Sequence, residues 1–358
     1  MEDQFADYGQ SKAGQHSPPA ADSQRPDSFA DYESWLPEIP QATPESPGHE
    51  LLPEGLPLGS GSQQAAIDAI LLELDSLVGL QRVKQEVRRL VQFVRVQQLR
   101  TRKGISTSSP SLHSVFYGSP GTGKTTVARL YGRLLNAMGF LSKGHLVETD
   151  RSGLVGNYIG QTANKTNDKI SEALGGVLFI DEAYSLYKGE HAEWDYGNES
   201  IEILAKRMED HREDLAVIAA GYPEPMQRFL SSNEGLRSRF ATYIRFDDYS
   251  PDELLEIFLH IAHSESYEPT PAATESVLAA ISYNHSIRDK SFGNARFARN
   301  LFETIIRNHA QRIGANQVEP TTHQLQSLEA EDIPFLTPSD TKSFVSSDSS
   351  NAQQEDQA

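Results

Sequence analysis

The sequence predicts an α/β fold: a five-stranded parallel sheet covered by helices on both faces, followed by a small all-helical domain. Three observations carry it. Short apolar runs alternate with helically spaced segments over residues 114–246, and strand–helix alternation leads to a parallel sheet buried on both faces. Gly118-Ser119-Pro120-Gly121-Thr122-Gly123-Lys124-Thr125-Thr126 fits the pattern G-x-x-x-x-G-K-[ST] between a strand-like run, Ser114 to Tyr117, and a helix-forming run, Val127 to Tyr131. From Ser250 onward strand signals vanish and helical spacing continues to residue 334.

Taken in order, residues 1–60 hold 9 of the 19 prolines with many Ser, Gln, Glu and Asp. Such a composition cannot bury enough apolar surface to offset chain entropy, which predicts a disordered tail. Within it Phe5-Ala6-Asp7-Tyr8 recurs as Phe29-Ala30-Asp31-Tyr32. This is either a drifted duplication or a docking motif used twice, whose weak anchors gain avidity through effective concentration. Order is predicted from near Ser62. A helix over 63–77 carries Ile67, Ile70, Leu71 and Leu74 on one face, and a second carries Val83, Val87, Leu90, Val91 and Val94. After the loop helix, strands are predicted at Gly144 to Glu148, Gly176 to Ile180, Leu215 to Ala220 and Tyr243 to Phe246. Ser250 is a natural N-cap, with Pro251 at the first helical position and Glu253 completing a capping box. Further helices fit near 271–282, 293–313 and 321–328. The expected organisation is a tail over 1–60, an α/β nucleotide-binding domain over 61–250, a helical domain over 251–334 and a second disordered tail over 335–358.

Charge and cysteine usage limit the function classes. Residues 1–60 carry 11 acids against 2 bases and residues 315–358 carry 8 against 1, so nearly all of the net charge of −18 belongs to the ends. A near-neutral middle argues against nucleic acid as the main partner, since backbone binding needs clustered cations. The chain has no cysteine, which excludes disulfides, thiolate zinc sites and cysteine nucleophiles. The eleven histidines show no ligand spacing. No apolar run approaches 18 residues and the N-terminus lacks the pattern of a signal peptide, so a soluble, cytoplasmic protein without a membrane span is expected.

The glycine-rich loop predicts binding of a nucleoside triphosphate. Its glycines let backbone N–H groups turn inward around phosphates; Lys124 would reach the same phosphates and the Thr125 hydroxyl would bind Mg²⁺. The helix that follows points its positive end at the anion. Asp181 and Glu182 stand 57 residues beyond Lys124, at the C-terminal end of an apolar run. In a parallel sheet that edge is where ligands bind. Asp181 would orient the Mg²⁺ shell and Glu182 would polarise the attacking water, which makes the expected activity hydrolysis.

These residues resemble the AAA+ ATPases. Within them, Glu148 to Gly156, Gly175 to Leu186, Ala219-Gly221-Tyr222-Pro223 and Gly235-Leu236-Arg237-Ser238-Arg239-Phe240 are similar to one branch. It contains the stage V sporulation protein K-like proteins, the red-type rubisco activases and AAA+ components of type VII secretion systems. The resemblance covers residues 72–334 and neither tail. It implies that Val78 and Gly79, by themselves a tight turn between helices, line the adenine pocket. It implies that Arg237 and Arg239 occupy the arginine-finger position for a neighbouring subunit, Arg239 being the first choice. It also implies that Arg296 is the sensor-2 arginine and that Tyr158-Ile159-Gly160 is a central-pore loop gripping polypeptide. Tyr222 stands where many relatives have the sensor-1 Asn, with a phenol in place of an amide. Asp195-Tyr196-Gly197 and Glu199 match a branch-specific segment.

The expected function is therefore Mg²⁺-dependent ATP hydrolysis by a homo-oligomeric ring, a hexamer in the family pattern. The ring would remodel or thread a protein client, and residues 1–60 are a candidate recruiting segment. The alternatives are a nucleotide-gated scaffold or assembly factor in secretion or sporulation that does not thread, and a nucleic-acid motor on the same scaffold.

Overall fold

Five short strands form one sheet; its inner three are buried throughout, and the two edge strands are partly exposed. The computed structural model describes residues 61–105, 111–158, 160–189, 196–289, 291–315 and 319–334. Both predicted tails, with the repeated Phe-Ala-Asp-Tyr motif, lie outside the described residues, as do Ile159 and Asp195. The chain opens with α1 (Gly61–Ser76) and α2 (Gln81–Arg102), then runs β1 (Ser114–Gly118), α3 (Lys124–Ala137), β2 (Leu146–Thr149), α4 (Arg151–Leu154) and α5 (Gln161–Ala173). It continues through β3 (Val177–Ile180), a 3-10 turn (Ala183–Leu186), α6 (Gly197–Asp210), β4 (Ala216–Gly221), α7 (Pro223–Ser231), α8 (Glu234–Arg237) and β5 (Thr242–Phe246). The helical part comprises α9 (Pro251–Ser264), α10 (Pro271–Ser286), α11 (Ala295–Gly314) and α12 (Thr322–Gln326), with β6 (Glu268–Pro269), β7 (Ser327–Leu328) and a closing 3-10 turn (Ala330–Asp332).

The sheet order is β2-β3-β4-β1-β5, and all four pairings are parallel. Such a sheet needs apolar residues on both faces, and β3, Val177-Leu178-Phe179-Ile180, supplies four in succession. Phe116 in β1 meets Tyr131 of α3 edge-on at 6.0 Å and Phe246 of β5 at 5.2 Å, so the central strand, the loop helix and the edge strand share one aromatic contact. The order sets β1 and β3 on either side of β4, with the loop after β1 and the carboxylates after β3 at the same C-terminal edge. Reversal of strand order about β1 and β4 makes this edge the expected binding crevice.

Both helices ahead of the sheet follow the predicted periodicity: Ile67, Ile70 and Leu74 of α1 and Val83, Val87, Val91 and Val94 of α2 are buried. The Lys84 ammonium, on a buried turn of α2, donates to the Asp75 and Leu77 carbonyls and so satisfies the end of α1. Ser250 caps α9 with Glu253 in a reciprocal capping box, as predicted. One difference concerns strands beyond residue 250. β6 and β7 pair in parallel through Glu268↔Ser327 and Pro269↔Leu328. Two residues are too few to show a period of 2, and Pro269 reads as a breaker. The bidentate Arg312–Asp332 pair, with contacts of 2.7 and 2.8 Å, then holds the segment after β7 against α11.

His113, just before β1, is buried beneath the sheet. Its Nδ1 accepts from the Val217 N–H at 3.1 Å, so Nε2 carries the proton donated to the Met208 carbonyl at 3.0 Å. Burial pushes its pKa down to about 4, against the opposing effect of the Met208 carbonyl. The folded pKa lies below the unfolded one, so the neutral ring stabilises the fold fully above about pH 6.5, and that stability is lost as pH falls toward 4. The expected loss is about 3 kcal/mol across that window. Thermal unfolding at pH 7.5 and 4.5 checks it: His113→Gln should show a distinctly smaller drop in Tm than the wild-type chain.

Candidate functional site

A pocket of about 670 Å³ opens at the C-terminal edge of the sheet, under the helical part. The phosphate-type loop forms its floor. After β1 the chain turns at Gly121 and Gly123, both at positive φ (68° and 90°), and Gly123 is the N-cap of α3. Gly118, Pro120, Gly121, Gly123, Lys124, Thr125 and Thr126 line the pocket. Ser119 and Thr122 stand behind this lining, where the Thr122 hydroxyl donates to the Ser119 carbonyl at 2.8 Å and braces the loop. The Lys124 ammonium crosses the loop, donating to the carbonyls of Gly118 at 3.0 Å and Ser119 at 2.7 Å. Burial pushes its pKa down to about 8; the nearby Asp181 carboxylate raises it and Arg296 lowers it further. A phosphate would oppose the effect of burial, which is the electrostatic reason for a cation here.

Asp181 and Glu182 follow β3 directly and both line the pocket. The Asp181 carboxylate accepts the Glu182 N–H at 3.0 Å. With the Thr125 hydroxyl these carboxylates form a set of hard oxygen donors beside the loop, the donor chemistry Mg²⁺ prefers when phosphate oxygens and water complete its shell. Glu182 sits at φ 46°, ψ 42°, a left-handed conformation unusual for a residue with a Cβ. Tyr222, half-buried at the end of β4, also lines the pocket; burial and then the Glu182 carboxylate push its phenol pKa up, with Arg296 acting against them.

Another part of the pocket lining is apolar. Val78 lines it and Gly79 forms the adjacent turn without lining. Leu77, Leu80, Ile257 and Ile261 supply further walls, with His260 and Tyr249 between them. Ile257, His260 and Ile261 share one face of α9, but helical spacing does not say which ligand a face will meet. Above the loop, Arg296 and Arg299 of α11 line the pocket together.

The helical part is fastened to the loop by Asn294. Its amide NH₂ donates to the Pro120 carbonyl at 3.2 Å and to Asp248 Oδ1 at 3.1 Å; its Oδ1 accepts the Tyr249 N–H at 3.0 Å. The Ala295 N–H donates to the Gly121 carbonyl at 3.1 Å. Asn294 has φ 48° and is fully buried, and Asn tolerates positive φ better than most residues. In the sequence this joint is marked only by its neighbour Arg296, which the resemblance singles out for its charge.

Arg237 and Arg239 do not line the pocket. Arg237 is exposed at the end of α8, whereas Arg239 is half-buried, donating to the Gly235 carbonyl and lying 3.8 Å from Glu209. The Arg239 Nε is buried without a hydrogen-bond partner. Tyr158 is 71% exposed, whereas its residue type alone fits a packed loop position equally well. In the branch-specific segment, Gly197 approaches the Leu186 carbonyl so closely that a Cβ would stand 1.9 Å from it. No helix among the described residues is long and apolar enough to cross a membrane.

Comparison with known proteins fits this geometry. Residues 114–248 match the family described as "ATPase family associated with various cellular activities (AAA)", and residues 250–343 match the AAA lid domain. The chain is 45% identical to "Ribulose bisphosphate carboxylase/oxygenase activase, chloroplastic" of Cyanidioschyzon merolae over 273 residues, 76% of this chain and 92% of that one. It is 44% identical to "Stage V sporulation protein K" of Bacillus subtilis over 245 residues, 67% of this chain and 74% of that one. The crystal structure of the FIGL-1 AAA domain superposes with a TM-score of 0.50 at 18% identity, covering 77% of this chain and 88% of that chain, a likeness of fold alone.

A Cβ on Gly121 would stand 2.0 Å from the Gly293 carbonyl, in a backbone conformation that L side chains avoid. Gly121→Ala should therefore push the loop and α11 apart. The expected outcome is a loss of about 1–3 kcal/mol in stability and at least tenfold weaker binding of a fluorescent ATP analogue, read by thermal unfolding and titration.

Proposed function

The chain belongs to the AAA ATPases and hydrolyses ATP, and on that premise we propose that it works with Mg²⁺ as a homo-oligomeric ring, a hexamer, that remodels or threads a protein client. In this reading Lys124 and the N–H groups of the loop hold the β- and γ-phosphates, and Val78 and Gly79 flank adenine. Thr125 and Asp181 hold the Mg²⁺, which when bound neutralises charge building on the phosphate oxygens. Glu182 takes a proton from the attacking water as the new O–P bond forms and the bond to ADP breaks. Arg296 reports the state of the phosphates to the lid domain.

The observation that carries the ring is the pair Arg237 and Arg239. Both lie outside the chain's own nucleotide pocket, and the Arg239 Nε makes no hydrogen bond, only a 3.8 Å ion pair with Glu209. An arginine fork delivered to a neighbour's γ-phosphate spreads charge over phosphoryl oxygens. Threading draws its support from Tyr158, exposed on the loop before Gly160. An aromatic there can grip side chains without sequence preference. Relatives named for rubisco activation and for sporulation are 45% and 44% identical. A nucleic-acid motor is disfavoured by the near-neutral middle of the chain.

Mixing variants tests the shared site. Arg239→Ala should lower kcat about 10³-fold while leaving ATP binding intact, and Glu182→Gln should bind ATP without turnover. Combined, the two inactive chains should recover part of the activity, because an intact Glu182 can then face an intact neighbouring Arg239. Full ATPase activity in a monomer at low protein concentration would contradict the ring.

A further inference from the structure

Charge is segregated in the early part of the chain in a way that the nucleotide pocket does not explain. Residues 26–81 hold ten acidic residues and no Lys or Arg, whereas residues 87–147 hold ten Lys or Arg and no acid. Where the structure describes both blocks, they meet: Arg88 of α2 pairs with Asp75 of α1, and Arg133 of α3 pairs with Glu73 of α1. The far half of α2 has no such cover. Among the described residues Arg100, Arg102 and Lys103 pair with no carboxylate.

That half also exposes apolar side chains. Phe93 is 47% exposed and Val96, one turn on, 54%. Arg89 and Arg100 stand exposed on the same face at helical spacing, opposite the buried line of Val83, Val87, Val91 and Val94. Ile105, also exposed, is turned back on the helix end by its N–H, which donates to the Arg100 carbonyl at 2.9 Å. Single apolar residues on a surface are ordinary, but a line of them set between cations fits an occupant that is both apolar and acidic.

Such a segment is tethered beside this face. Gln63, at the start of α1, donates to the Ala137 carbonyl, and Gln98 of α2 donates to that of Met138, both at 2.8 Å. The two helices therefore flank the same end of α3. Ahead of Gly61 the sequence reads Glu50-Leu51-Leu52-Pro53-Glu54-Gly55-Leu56-Pro57-Leu58, with four leucines, two acids and no base. The tether back to Glu50 spans up to about 35 Å when extended, and a helix is only about 10 Å across.

We propose that residues 50–58 dock in their own chain on the Phe93–Val96 face of α2, the leucines on its apolar line and Glu50 and Glu54 against Arg100 and Lys103. The pairing of acidic and basic blocks seen at Asp75–Arg88 then continues to the far end of the helix. The tether holds the segment at about millimolar effective concentration, so a contact too weak to form between separate molecules is populated here. Docked, the segment withdraws a basic and apolar surface from competing polyanions.

The chain has no cysteine, so a bimane label can be attached through Gly55→Cys in the full chain and quenched by contact with a tryptophan introduced as Phe93→Trp. Bimane intensity should fall about twofold relative to the same labelled chain with Phe93, as a weak contact at millimolar effective concentration implies. Glu50→Arg with Glu54→Arg should abolish the quenching, and adding Arg100→Glu with Lys103→Glu should restore it. Equal intensity with and without Phe93→Trp would overturn the proposal, and so would quenching untouched by the charge reversal. Quenching that appears only on mixing the labelled chain with an unlabelled chain carrying Phe93→Trp would also overturn it, giving the face to a second copy. An unquenched label in a chain that binds fluorescent polyglutamate, and loses it with Arg100→Glu and Lys103→Glu, would give the face to an acidic partner instead.

Discussion

The side-chain amide of Asn294 holds three segments at one point: the phosphate-type loop through Pro120, the strand-to-lid connection through Asp248 and Tyr249, and the start of α11 on which Asn294 itself sits. Beside it the Ala295 N–H reaches the Gly121 carbonyl. Asn294 itself is fully buried, and a buried polar group left without a partner costs about 1–3 kcal/mol. The loop and the lid domain therefore separate only by leaving several such groups unmet. Ala295, which meets the loop, directly precedes Arg296, and Arg299 follows one turn later on the same helix; both arginines line the pocket.

Much of the molecule follows from local pattern. The loop glycines, the four-residue apolar run of β3 and the capping box of Ser250 and Glu253 each depend on neighbours close in sequence, and each is legible as written. Asp181 and Glu182 are legible because a parallel sheet brings its strand ends to one edge. The joint at Asn294 is not, because its partners are up to 174 residues away. The short β6–β7 pair fails for a different reason: two residues, one of them Pro269, carry no period.

The chemical groups divide in the same way. Lys124, Thr125, Asp181 and Glu182 face the pocket on rigid strand ends and the first turn of α3. Behind them stands a layer that braces the loop: the Thr122 hydroxyl on the Ser119 carbonyl and Tyr249 at 3.4 Å from the Thr122 carbonyl. Burial pushes the Tyr249 phenol up to about 12, so it stays a neutral donor beside the loop. Groups held this way lose little freedom when ATP arrives, and preorganisation of this kind raises rate more than it raises affinity.

The central claim is that Asn294 couples the lid to the loop, so that the lid takes a single arrangement for each state of the loop. The chain has no cysteine, so spin labels can be attached to cysteines introduced at Arg129 on α3 and Arg307 on α11, both exposed. The distance distribution between them should be narrow and shift as a single population when ATP is added to Glu182→Gln protein. With Asn294→Ala added, it should broaden and lose its response to ATP. An undiminished, single-population response in the Asn294→Ala protein would contradict the account.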